Sequence, residues 1–259
     1  MTSTIQTTTI PTASPRRPSP GRRVAVAVTT FLTCALPVVF TINISRMLVT
    51  GELDEHRFHQ LTGQGLILFA FWLGALLPLV RAGWRGDLPP ATAALRHLSF
   101  VATGAVCAAA APGGGAPYLV GLIAVTGALL WWALPRRPRL SWHVQVEPVL
   151  LPTALAMAAV LVPYAVDQVG LQNAASGHHA QNPHFFDMAW LVAIMTSQAL
   201  LAALLPMARP LATWAGATCT ALGVAGLALG ESTGVFALVT CVGAAHLAAR
   251  AIGVRRGRG

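Results

Sequence analysis

The stretch Met188-Ala189-Trp190-Leu191-Val192-Ala193-Ile194-Met195-Thr196-Ser197-Gln198-Ala199-Leu200-Leu201-Ala202-Ala203-Leu204-Leu205-Pro206-Met207 contains no charged side chain. At about 20 residues it has the length at which a helix crosses the hydrocarbon layer of a bilayer. Asp187 just before it and Gln198 within it, eleven residues apart, fall on one face of such a helix, with Thr196 and Ser197 nearby. The rest of the chain is similarly apolar. Of 259 residues 55% are hydrophobic and 10% charged, with a mean hydropathy of +0.64. A soluble domain carries about 25% charge, and this chain has too little to coat a globule of its size. An all-α integral membrane protein is expected.

Seven further apolar runs, over 24–44, 65–80, 98–111, 118–134, 149–166, 211–229 and 235–249, bring the expected bundle to about eight transmembrane helices. The third is short and ends in Pro112-Gly113-Gly114-Gly115-Ala116-Pro117, a turn signal that makes spans three and four a tight hairpin. Residues 1–23, rich in Thr, Ser and Pro, read as a disordered cytoplasmic tail, and 253–259 as a short basic one. Arg22 and Arg23 before the first run give it the charge order of a signal peptide. Its length and lack of a small-residue cleavage site mark it as a retained helix.

The 17 basic residues are all arginines, and their distribution tests the helix number. With both termini cytoplasmic, only Arg46 and Arg57 lie outside and the remaining arginines face inward, the asymmetry of a plasma (inner) membrane protein with an even number of spans. The strings Gly74-Ala75-Leu76-Leu77-Pro78-Leu79 and Ala202-Ala203-Leu204-Leu205-Pro206-Met207, followed by Arg81 and Arg209, suggest two parallel four-helix half-repeats over 24–140 and 141–252 within the membrane domain 24–252.

Without lysine, Schiff-base chemistry, a phosphate-loop lysine and a lysine general base are excluded. Cys34, Cys107, Cys219 and Cys241 lie in apolar runs with no CxxC pair, which argues for packing rather than thiol-disulfide exchange, although Cys219 and Cys241 could meet between neighbouring helices. The net charge of +9 is a topology signal, not a nucleic-acid footprint.

The acids and histidines sort the other way. Glu52, Asp54, Glu55, His56 and His59 fall in the first outer loop; Asp167, His178, His179, His184 and Asp187 fall in or beside the third. Acids contribute little to topology, and the positive-inside rule does not explain the histidines. If the first loop is helical, His56 and His59 share a face with Glu52 and Glu55, a carboxylate-imidazole surface suited to zinc or copper. Pro183 fits the start of the sixth span, with Asp187 one turn after His184. The candidate metal ligands are therefore His56, His59, His178, His179 and His184, in an outward pocket between spans one, two, five and six. The candidate acid-base groups are Asp167, Asp187 and Glu147. Asp167 is read as ending a fifth span broken by Pro152 and Pro163.

Haem is not expected: His246 alone lies clearly inside a span, and His97 and His143 read as interfacial. The expected partners are the lipid bilayer and a small-molecule or lipid-soluble ligand. Three other functional classes share these features: a small-molecule permease, an intramembrane lyase or cyclase using Asp167 or Glu147 as proton donor, and a non-catalytic assembly or accessory subunit.

Overall fold

The computed structural model describes residues 18–52 and 56–256. The expected tail over 1–17, Asp54, Glu55 and the residues after 256 lie outside them. Among the described residues the chain is all-α, with no strand. Its helices are α1 (Pro20–Thr50), α2 (Arg57–Leu61), α3 (Leu66–Arg85), α4 (Ala91–Ala110), α5 (Ala116–Ala133), α6 (Leu150–Ala174), α7 (His178–Gln181), α8 (His184–Leu204), α9 (Leu211–Ala228) and α10 (Thr233–Arg256). Eight of them, all but the short α2 and α7, are long and apolar enough to cross a membrane. Phe31, Ile42, Val106, Tyr118 and Val166 are each more than three-fifths exposed. In water such a belt would drive aggregation, whereas hydrocarbon covers it without cost.

Within the first four spans α1 packs on α3, α3 on α4, α4 on α5 and α5 back on α1. Within the last four, α6 packs on α8, α8 on α9, α9 on α10 and α10 back on α6. The two rings meet where α8 lies against α4 and α3. α8 is the central helix: Trp190 is 1% exposed, packs against Phe100 at 4.6 Å between ring centroids with the planes tilted by 50°, and donates its indole N–H to the Phe100 carbonyl at 2.9 Å. On the same helix Gln198 donates to the Ser99 hydroxyl at 3.2 Å, a cross-helix bond that gives a polar side chain a partner away from water.

Several boundaries differ from the hydropathy reading, and α10 runs on to Arg256, into the stretch 253–259 expected to be a basic tail. α1 starts at Pro20, inside the stretch expected to be a tail; Ser19 caps it, and the Arg22 guanidinium donates to the Leu134 carbonyl at 3.0 Å. α4 starts at Ala91 rather than near 98, so Arg96 and His97 are buried inside the helix instead of lying at its interface. α6 is not broken at Pro163 and runs on to Ala174, which places Asp167 within the helix on an exposed surface. A proline removes only one helical hydrogen bond, and a long helix packed against α8 and α10 keeps its course past it. Cys219 and Cys241 are both free: Cys219 is buried with its thiol against the Val239 carbonyl, and Cys241 is exposed.

Candidate metal centre

α3 and α8 both begin at one face of the bundle, and the short helices α2 and α7 lie just before them. This arrangement brings together all five histidines that the sequence singles out. His184, the first residue of α8 and 3% exposed, is the hub. Its ring centroid lies 5.0 Å from that of His56, nearly parallel, 5.5 Å from His59, 5.8 Å from His178 and 5.4 Å from His179. His56, His178 and His184 each offer a ring nitrogen, and these three atoms lie within 4.8 Å of one another.

The hub imidazole is held in one tautomer. Gln64 Nε2 donates to Asn182 Oδ1, which leaves Gln64 Oε1 to accept a hydrogen bond from His184 Nδ1 at 2.6 Å. With its proton on Nδ1, His184 presents an unprotonated Nε2. That atom is buried and has no hydrogen-bond partner, as is also true of His59 Nδ1. A metal-bound histidine has this same arrangement, one ring nitrogen donating to an oriented acceptor and the other left free for the ion.

The loop carrying Gln64 is fixed by its neighbours. The amide of Gln64 donates to the His59 carbonyl at 3.0 Å, tying the loop to α2. The preceding Gly63 lies so close to α8 that a Cβ there would be 2.6 Å from Met188 Sδ and 2.8 Å from the Met188 amide. Only glycine allows this approach. The neighbouring Thr62 hydroxyl donates to the same sulfur at 3.2 Å.

The carboxylates are distributed differently. Glu52 pairs with Arg46 at 3.1 Å, on an exposed surface. Glu147 stands at the opposite face of the bundle, its carboxylate 3.3 Å from Arg209 and its amide bonded to the Ala203 carbonyl near the far end of α8. Asp167 is exposed on α6. Among the described carboxylates Asp187 is the one close to the histidines, one turn along α8 from His184 and buried. It borders a cavity of about 400 Å³ whose wall also includes Gln64, Asn182, Trp72 and Trp190. The Phe40 and Phe69 rings, parallel and 5.7 Å apart, form its α1–α3 side. This cavity opens between spans one, two, four and six, Leu119 of α5 standing where the sequence reading put the fifth span.

His246 pairs with Thr153 at 2.8 Å, and His97 packs beside Trp131 and Gly127. Gln64 and Asn182 were not identified by sequence reasoning. Their link to His184 joins positions more than a hundred residues apart, and a lone amide in a polar loop gives no local signal. The chain matches no family model, no curated protein and no solved structure.

Proposed function

We propose that this protein binds a transition metal ion, zinc or copper(II), in the imidazole cluster on the outer face of a plasma-membrane helix bundle. The observation that carries this reading is the hub itself: Gln64 holds the His184 ring so that a buried, unprotonated Nε2 faces four other imidazoles. An unpaired buried acceptor is costly, and an ion removes that cost. Imidazole without thiolate suits zinc and copper(II). A tetrahedral zinc at about 2.0–2.1 Å from each nitrogen holds its ligands about 3.3 Å apart. The half-buried His56 and the exposed His178 can close the remaining gap by side-chain rotation, while His184 stays fixed.

The neighbouring cavity adds a ligand class. Its walls are mainly apolar and aromatic, with Asn43, Gln64, Asn182 and Asp187 as the polar side chains, the composition of a site for a small membrane-soluble molecule with a polar head. Because Gln64 contacts both the cavity and His184, such a molecule would dock directly beside the metal ligands. Asp187 is the acid-base candidate this arrangement favours over Asp167 and Glu147.

The test is metal content. Purified protein incubated with zinc or copper(II) and then desalted is expected to retain a stoichiometric ion, and His184→Ala to lose it. Wild-type protein with no retained metal would sink the reading.

A further inference from the structure

A second polar site lies at the opposite face, where α3 ends and α4 and α9 begin. Arg96, on the second turn of α4, is 6% exposed. Its guanidinium carbon stands 4.1 Å from the centre of the Trp214 ring on α9. Neither the Arg46–Glu52 nor the Arg209–Glu147 ion pair includes Arg96. Arg96 Nε and Nη2 are buried and have no hydrogen-bond partner.

The surrounding helices make room for this charge. A Cβ on Gly74 of α3 would lie 2.6 Å from Arg96 Nη2 and 3.2 Å from Cζ, so any side chain at position 74 would displace the guanidinium. Arg96 borders a cavity of about 120 Å³ that Thr92 of α4 and Leu211 of α9 also line. Neither α4 nor α9 has a side-chain cap at its N-terminus, and both helix starts border the cavity through Pro90 and Pro210. Two helix N-termini and an arginine therefore supply positive potential to one small space.

A buried cation in this setting needs a counter-charge. The unsatisfied pair defines its shape. Nε–H and Nη2–H form one edge of the planar guanidinium, two parallel donors spaced to meet two oxygens of one anion. A halide uses such an edge poorly. A tetrahedral oxyanion fills it and keeps further oxygens for the Thr92 hydroxyl. The position, among helix starts at one face of a membrane bundle, is where lipid head groups lie.

We propose that this cavity binds a phosphate oxyanion, supplied either by the phosphodiester of an anionic lipid head group or by free inorganic phosphate, side-on to Arg96. The proposal does not depend on metal binding at the other face. Thermal unfolding of the full chain in a neutral detergent tests it, with three separate additions: phosphatidylglycerol, inorganic phosphate, and sodium chloride at matched ionic strength. A ligand of the folded state raises the midpoint as its concentration rises. Wild type is expected to gain stability with phosphatidylglycerol or with phosphate, and which of the two acts identifies the source. Arg96→Lys, which keeps the charge but loses the fork, should need at least about tenfold more of the same ligand.

Arg96→Met serves as the second variant, since it removes the charge while filling the space. It is expected to fold and to show no response to either phosphate source. The proposal is overturned if wild type responds to neither, if chloride matches phosphate, or if Arg96→Met responds as wild type does.

Discussion

Gln64 and His184, 120 positions apart in the chain, share a 2.6 Å hydrogen bond from the imidazole Nδ1–H to the amide oxygen. That bond determines which nitrogen of the hub histidine is left free. Substitution of Gln64 should therefore weaken metal binding although Gln64 is not itself a ligand. Loss of an orienting partner typically lowers metal affinity about 10–100-fold. Gln64→Leu is expected to fall in that range, and His184→Ala to abolish tight binding, with zinc affinity read by competition against a chromogenic chelator. Equal affinity in Gln64→Leu and wild type would show that the amide has no orienting role.

Imidazole ligates only when neutral, and an ordinary histidine titrates near about 6.5. Protons therefore compete with the ion for the same nitrogens. Metal affinity, and the stabilisation it gives the fold, should decline as pH falls and protons occupy the ring nitrogens. Each ligand that must lose a proton steepens the decline. Zinc affinity measured across the acid range should fall with pH; affinity that does not change with pH would exclude a histidine shell.

Gly63 tests how far the site depends on close packing. A methyl group there meets Met188 at 2.6 Å from its sulfur and 2.8 Å from its backbone nitrogen, and the backbone cannot give way as a flexible side-chain end can. Gly63→Ala is expected to cost about 1–3 kcal/mol of stability, the usual penalty for overpacking. It should also lower metal affinity, because the Gln64 loop must move. Chemical denaturation in detergent and the chelator competition report the two effects separately.

Much of this architecture is legible in the residues. An uncharged apolar stretch such as 188–207 has only one stable setting, and the eight spans follow from repeating that judgement. Sorting histidines by the side of the membrane puts His56, His59, His178, His179 and His184 in one candidate set, and in the structure their rings gather round His184. Two things were hidden. Hydropathy counts Arg96 as a boundary, but the glycine at 74 and the indole of Trp214 give its guanidinium a place inside the bundle. The partners of His184 depend on long-range pairing, which no local spacing encodes. Pro152 and Pro163 predict breaks that would leave Asp167 at a helix end, but packing on both sides carries α6 through and Asp167 lies within it.

The orientation has its own test. With the four native cysteines replaced by alanine, Ser176→Cys lies next to the histidine helix α7, and Ser141→Cys lies in the exposed segment before α6 at the other face. An impermeant thiol reagent applied to intact cells is expected to label position 176 and spare 141. The reverse pattern would turn the bundle over and put the histidines inside.

The most direct measurement is X-ray absorption on the zinc-loaded protein, which counts and identifies the atoms around the ion. The expected result is a shell with at least three nitrogens at about 2.0–2.1 Å, with the multiple scattering that imidazole rings produce, lost in His184→Ala. A shell of oxygens alone, a sulfur scatterer, or a spectrum unchanged by His184→Ala would contradict a metal centre built on His184.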